Sequence, residues 1–102
     1  MWRQGDVLIQ QVDALPEGTV PLKRLKLAAG EASGHAHQIK DRRRARLHSL
    51  QVWPDVLLFL EILADDTPVV HPEHAAILLP TGIYRVWKQR EFADEGARSV
   101  ID

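Results

Sequence analysis

The chain contains no cysteine, which excludes disulfide scaffolds, thiolate zinc sites, iron–sulfur clusters and cysteine nucleophiles. Long apolar runs are also missing, because the longest run, residues 56–60, falls far short of the roughly 20 residues of a membrane span. Charge of one sign does not dominate, since 13 Lys and Arg stand against 14 Asp and Glu and leave a formal net charge of −1. Global attraction to nucleic acid or to an anionic membrane is therefore not expected.

The length and composition predict one globular domain. A chain of 102 residues has room for a single hydrophobic core, so residues 1–102 form one predicted domain. An apolar content of 45% and a charged content of 26% are typical of folded domains and exclude wholesale disorder. Residues 1–6 lack the apolar core of a signal peptide, so a cytoplasmic location is expected.

Turn-forming residues divide the chain into short segments, which predicts an all-β fold, either a small barrel or a sandwich. The predicted strands include residues 6–12, 25–29, 35–40, 47–52, 56–63, 75–79 and 83–92. Residues 56–63 also fit a helical stripe, but their short length favours a buried strand. Residues 93–102 are predicted to be a short helix or a loose tail.

Two close pairs of histidines carry the strongest functional signal. His35 and His37 lie on the same face of a predicted strand, because successive side chains of a strand point to opposite faces. Two imidazoles in this arrangement can chelate one divalent ion. His71 and His74 would lie on opposite faces of an ideal strand, but Pro72 indicates a turn in which both side chains could converge.

The histidine pairs predict a small metal-binding β protein. Imidazole ligands suit a divalent transition metal such as zinc, iron, manganese or nickel. The predicted ligands are His35, His37 and one or both of His71 and His74, and Glu73 is the predicted proton-transfer group. Such a site is expected in a hydrolase or an oxygenase that acts on a small-molecule substrate. Whether the chain is an enzyme stays open. The alternative is that the histidines make ordinary structural hydrogen bonds or form a pH-sensitive polar patch.

A second functional hypothesis is a non-enzymatic interaction module, accessory or phage-associated, in which the histidines are structural. The basic run Arg42–Arg46 would then contact a protein or a nucleic acid. The neutral net charge argues against nucleic acid, and such a run is most often a solvated loop. Apolar residues on both faces of residues 56–63 predict a homo-oligomer. No membrane partner is expected.

Two further residues carry weaker expectations. The fifth histidine, His48, lies alone in a weak strand pattern and is predicted to be structural or exposed. Glu61 lies in the most apolar stretch of the chain, so its carboxylate must be paired, bound to a metal or placed at an edge.

Four segments resemble a group of short, uncharacterised bacterial and phage proteins. The segments are Gly5-Asp6-Val7-Leu8, residues 30–37, His71-Pro72-Glu73-His74 and residues 79–92. The resemblance covers nearly the whole chain. Ala32-Ser33 stand where the group carries Val-Thr, and Ser33 keeps the hydroxyl group. The resemblance implies that the two histidine pairs act together, and it implies no particular activity.

A weaker likeness is to the cupins. Gly34-His35-Ala36-His37 is similar to the glycine-flanked cupin metal strand, and Pro80-Thr81-Gly82 is similar to the later cupin turn. Two expected ligands are missing, because residues 41–46 contain no glutamate and Tyr84-Arg85 stand where a histidine is expected. The likeness therefore implies cupin-like β architecture, with a third ligand supplied by His71 or His74.

Overall fold

A computed structural model describes residues 1–29 and 35–89 of the chain. Ten strands run through these residues, and the predicted all-β class is confirmed. In chain order the strands are β1 (Trp2–Gln4), β2 (Val7–Val12), β3 (Val20–Leu22), β4 (Lys26–Ala29), β5 (Ala36–Gln38), β6 (Ala45–Val52), β7 (Asp55–Ile62), β8 (Thr67–His71), β9 (His74–Leu79) and β10 (Gly82–Lys88). Among the described residues, no helix is long and apolar enough to span a bilayer.

The strands form two antiparallel sheets. One sheet has six strands in the order β1-β2-β10-β7-β6-β3, and the other has four strands in the order β4-β5-β8-β9. The two sheets do not join into a closed barrel. Of the two architectures that the sequence predicts, the structure is therefore the sandwich.

The hydrophobic core lies between the two sheets. The larger sheet supplies fully buried residues at every second position of its central strands, such as Leu60 and Ile62 of β7 and Tyr84 and Val86 of β10. The smaller sheet faces them with residues such as Val69 of β8. This alternation is what period-2 strand geometry requires of a sheet with one buried face.

The observed strands follow most of the predicted segments, with differences in number and in bounds. The predicted strand at residues 35–40 is observed as Ala36–Gln38, so His35 lies just before it. The segment predicted as a strand at residues 56–63 is observed as the strand β7, Asp55–Ile62, and not as a helix. The last predicted strand, residues 83–92, is observed as Gly82–Lys88; its final three residues and the predicted tail at 93–102 lie outside the described residues. The strands β1, β3 and β8 were not predicted, because β1 and β3 are only three residues long and β3 and β8 each contain a proline.

Burial in the core determines what a leucine contributes to stability. Leu60 is fully buried, whereas Leu78 on β9 is 54% exposed. We expect Leu60→Ala to lower the free energy of unfolding by about 2–5 kcal/mol, because it removes buried methyl groups and leaves a cavity. The matched variant Leu78→Ala should cost less than about 1 kcal/mol, since its side chain remains largely in water. Urea denaturation followed by circular dichroism measures both, and equal losses would contradict the assignment of the core.

Candidate metal centre

Strand register places the two histidine pairs beside each other. In the antiparallel pairing of β5 with β8, Gln38 lies opposite Val70. One step further along this pair of strands, His37 comes next to His71, and their ring centres are 4.2 Å apart. The four-stranded sheet therefore brings His37 beside His71, more than thirty positions later in the chain.

The second pair meets across a tight turn. His71 and His74 are cross-strand partners at the end of the β8–β9 hairpin, with Pro72 and Glu73 as the two residues of the turn. A register shift between Val69 and His71 accompanies this end of the hairpin, and such bulges redirect side chains. The two rings lie 4.6 Å apart. The turn that Pro72 predicts is thus what brings these two rings together.

Three rings form the inner part of the cluster. The ring centres of His37, His71 and His74 are separated by 4.2, 4.6 and 5.9 Å. The fourth predicted histidine, His35, lies further out, with its ring centre 6.0 Å from that of His71. We call these four side chains the histidine cluster.

A buried glutamine fixes the orientation of His37. The side-chain amide of Gln4 donates to the carbonyl oxygens of Val69 and Ala75, both at 2.9 Å. Its oxygen must then act as the acceptor in the 2.9 Å contact with His37 Nδ1, because an amide nitrogen cannot accept. His37 therefore carries its proton on Nδ1, and the lone pair of Nε2 points into the cluster.

The surroundings of His37 keep its ring neutral. The pKa of His37 is lowered from 6.5 to about 4, mainly by burial and next by the nearby His71, while the Asp6 carboxylate opposes the shift. His74 and Lys88 add to the lowering. A neutral ring with a free Nε2 lone pair is the form of imidazole that binds metal ions.

The β1–β2 turn brings a carboxylate to the same nitrogen. Asp6 Oδ1 lies 3.8 Å from His37 Nε2. The preceding residue, Gly5, has φ of +61°, and a Cβ built there would stand 2.7 Å from Nε2 of His74. Only glycine suits both the backbone conformation and this close approach. The turn therefore packs directly on two rings of the cluster.

Glu73 acts on the outer part of the cluster in two ways. Its backbone N–H donates to His71 Nδ1 at 3.0 Å, and its carboxylate, 63% exposed, lies 3.3 Å from His35 Nδ1. The predicted proton-transfer residue is therefore beside His35 at the solvent-facing rim.

The cluster as it stands is not a finished coordination sphere. Among residues 1–29 and 35–89, no three His, Asp or Glu side chains already have the arrangement that holds a metal ion. Two features account for this. The 3.8 Å between His37 Nε2 and Asp6 Oδ1 exceeds by about half an ångström the separation of two ligands of a tetrahedral zinc ion, and His71 Nδ1 is occupied by the Glu73 amide.

The fifth histidine, His48, lies away from the histidine cluster. His48 is 9% exposed and its Nε2 lies 3.1 Å from Glu61 Oε1. This pairing fits both expectations for the two residues, a structural histidine and a partnered carboxylate, and it involves none of the cluster.

Sequence reasoning did not single out Gln4 or Asp6 as site residues. A signal for them was present in Gly5-Asp6, because a Gly-Asp pair between two strand-like segments is typical of a tight hairpin turn. Read as a hairpin, that pair predicts a strand before Gly5 that runs alongside β2. It does not predict that Gln4 reaches the other sheet.

Comparison with known proteins gives a family match and nothing more. A family model described as Domain of unknown function (DUF8820) matches residues 3–89. No curated protein matches the chain, and no solved structure matches it.

The hydrogen bonds of Gln4 predict a large cost for its removal. Gln4→Met keeps the length of the side chain but leaves the carbonyl groups of Val69 and Ala75 without their donor. We expect a loss of about 3 kcal/mol in the free energy of unfolding, since each buried polar group left unpaired costs about 1–3 kcal/mol. Gln10→Met, at an exposed position of β2, should change stability by less than about 0.5 kcal/mol. Urea denaturation of both variants tests this, and similar losses would argue against the role of Gln4.

The lowered pKa of His37 predicts a pH-dependent stability in the metal-free protein. The folded state resists protonation at His37 down to about pH 4, whereas the unfolded chain takes up a proton near pH 6.5. The unfolded state therefore binds more protons between these values, so stability should fall as the pH drops from 6.5 to 4, by at most about 3 kcal/mol from this residue.

Urea denaturation at a series of pH values measures this loss, with chelator-treated protein. His37→Gln should flatten the dependence between pH 4 and 6.5. Nuclear magnetic resonance of the imidazole carbons gives an independent reading, because the His37 signal should titrate with a midpoint near 4. A midpoint near 6.5, or equal pH dependence in the variant, would contradict the expectation.

Proposed function

The chain belongs to the family described as Domain of unknown function (DUF8820), and we propose from its histidine cluster that it binds one divalent transition metal ion. The observation that carries the proposal is the triangle of His37, His71 and His74, whose ring centres lie 4.2–5.9 Å apart. A tetrahedral ion bound to imidazole nitrogens at about 2.0–2.1 Å places the centres of its ligand rings about 5 Å apart. The observed distances bracket that value.

His37 and Asp6 are the best prepared members of the site. The lone pair of His37 Nε2 and the Asp6 carboxylate are both acceptors, and they face each other at 3.8 Å with no hydrogen between them. A cation placed between the two would be attracted by both. Zinc requires this distance to shorten by about half an ångström, and the Asp6 side chain, which is 40% exposed, has solvent around it in which to move.

His74 and His71 complete the proposed ligand set to different degrees. The Nε2 atom of His74 lies beside Gly5, the residue before Asp6, and the ring centre of His74 is 5.9 Å from that of His37. His71 must bind through Nε2 while its Nδ1 carries a proton, so the bond from the Glu73 amide has to open first. His37, His74 and Asp6 are therefore the core of the site, and His71 joins when the hairpin turn adjusts.

His35 and Glu73 are assigned to the rim. His35 is the remaining predicted ligand, and its Nδ1 is held by the Glu73 carboxylate at 3.3 Å. A carboxylate that accepts from an imidazole is a common partner of metal-binding histidines. Since Glu73 is largely in water, it can also exchange protons with solvent, which is the role that the sequence predicts for it.

The reaction that we propose for the site is hydrolysis or oxygenation of a small molecule. His37 is buried, His71 is half-buried and His74 is exposed, so one side of the histidine cluster remains open for a substrate. A divalent metal held there supplies Lewis acidity. Zinc, iron, manganese and nickel all suit this mixture of imidazole and carboxylate ligands. A cytoplasmic location, a homo-oligomer and the likeness to cupins and phage proteins stay predictions.

Elemental analysis tests metal binding directly. Protein purified without a histidine tag and reconstituted with zinc, iron, manganese or nickel should hold close to one equivalent of one metal, because the cluster offers one set of ligands. We expect the double variant His37→Gln/His74→Gln to lose stoichiometric binding. Asp6→Asn should weaken the affinity by roughly tenfold or more, since it removes the carboxylate charge. Inductively coupled plasma mass spectrometry and isothermal titration calorimetry measure these changes.

The fifth histidine provides the control for this experiment. His48→Gln removes an imidazole that lies outside the cluster, so its metal content should equal that of the unmodified chain. Circular dichroism establishes that each variant is folded. Absence of stoichiometric metal from the reconstituted protein, or an equal loss in His48→Gln, would overturn the proposal.

A further inference from the structure

A basic groove lies at the end of the β4–β5 strand pair. Its volume is about 420 Å³. The strand pair ends there with Lys26, the first residue of β4, opposite Gln38, the last residue of β5. Beyond this pair, the backbone N–H of Ile39 donates to the carbonyl of Leu25 at 3.1 Å, which holds the two chain segments together below the groove.

Four cationic side chains line this groove. They come from both segments that leave the strand pair: Arg24, Lys26, Lys40 and Arg42. All four are exposed, and no acidic residue lines the groove with them. Within residues 1–29 and 35–89, none of the four forms an ion pair, although the Arg24 guanidinium donates to the backbone carbonyl of Lys26 inside the groove. In a chain of net charge −1, this is a concentrated positive site.

The one carboxylate within the basic loop is already neutralised. Asp41 lies between Lys40 and Arg42 in the sequence, but its oxygens accept from the backbone and the guanidinium of Arg43 at 3.0–3.4 Å. These hydrogen bonds lower the pKa of Asp41, and the bond from the Arg43 guanidinium has the largest effect. Asp41 and Arg43 therefore cancel each other and leave the groove cations uncompensated.

The fold also divides the basic run Arg42–Arg46 into separate roles. Arg44 donates to the Asp65 carbonyl at 2.8 Å, and Arg46 lies on β6 opposite Glu61. Only Arg42 of this run lines the groove. The basic surface is thus built from two distant stretches of the chain, not from the arginine run that the sequence displays.

We propose that this groove binds a chain of phosphate groups, the backbone of a nucleic-acid strand. A single phosphate monoester carries only about −1.5 to −2 charges, so it would leave about half of the four positive charges unmatched. Several phosphates in a row match them. The groove has no aromatic lining residue on which bases could stack, so the contacts are to phosphates and the binding is independent of base sequence.

This site is separate from the histidine cluster. Gln38 is the groove residue nearest in sequence to His37, and successive side chains of a strand point to opposite faces. None of the cluster histidines lines the groove. The proposal therefore stands or falls independently of metal binding.

Fluorescence anisotropy with a labelled single-stranded oligonucleotide of mixed sequence tests the proposal. We expect Arg42→Gln to weaken binding about fivefold near 0.1 M salt, the effect of one lost phosphate contact. The double variant Lys26→Gln/Lys40→Gln should reduce the slope of log affinity against log salt by about 1.4, which corresponds to two contacts with a single strand. Arg46→Gln is the matched control, because it removes an exposed arginine outside the groove and should leave affinity nearly unchanged.

A second arm identifies the source of the phosphates. Inorganic tripolyphosphate is titrated into the unmodified protein and the double variant by calorimetry. Oligonucleotide binding that depends on the groove cations supports a nucleic-acid backbone. Binding of tripolyphosphate alone, with the same dependence, supports the phosphate site but assigns it to a small phosphorylated ligand. Binding of neither probe, or equal losses in Arg42→Gln and Arg46→Gln, overturns the proposal.

Discussion

The side chain of Gln4 connects the two sheets of the sandwich and sets the chemistry of the histidine cluster. It begins on β1 in the larger sheet and donates to carbonyl groups of β8 and β9 in the smaller one. A buried amide can hold these positions only if all its groups are paired. Because its two N–H groups are committed to carbonyls, its oxygen must accept from His37. Gln4 therefore both links the two sheets here and determines the tautomer of His37, a candidate metal ligand.

The cluster combines features that separate strands could not provide alone. The β8–β9 hairpin supplies two rings at fixed separation, β5 supplies a buried neutral ring, and the β1–β2 turn supplies a carboxylate and a glycine that allows close approach. The basic groove uses the far end of the same β4–β5 pair. The smaller sheet therefore presents different chemistry at two places, while the larger sheet supplies most of the core.

The fold class and the approach of His71 to His74 were predictable because both depend on local signals. Alternating apolar residues and regularly spaced turn residues predict the strands, and Pro72 predicts the turn that joins His71 to His74. The choice of a sandwich over a barrel depends on which edges pair, which no local pattern specifies. Gln4 and Asp6 could not be identified for the same reason, since their roles arise only when β1 meets the opposite sheet.

The basic groove shows the same limit for charge. Arg42, Arg43, Arg44 and Arg46 look equivalent in the sequence, but Arg43 and Arg44 are engaged by Asp41 and by the Asp65 carbonyl. Arg24, in the β3–β4 connection, and Lys26, at the start of β4, share the groove with Arg42 only because β4 pairs with β5. Closeness in the sequence therefore overestimates how many arginines of the basic run are available, and it misses the contribution of Arg24 and Lys26.

The wide sequence separation within the cluster gives it a thermodynamic role. His71 and His74 are joined by a two-residue turn, so their approach costs little chain entropy. His37 lies 34 positions before His71, and the two rings meet only when β5 pairs with β8. Any ligand that needs both rings is therefore linked to the complete fold rather than to the isolated hairpin. Its binding energy adds to the stability of the whole sandwich by mass action, and its concentration becomes one of the variables that determine how much of the chain is folded.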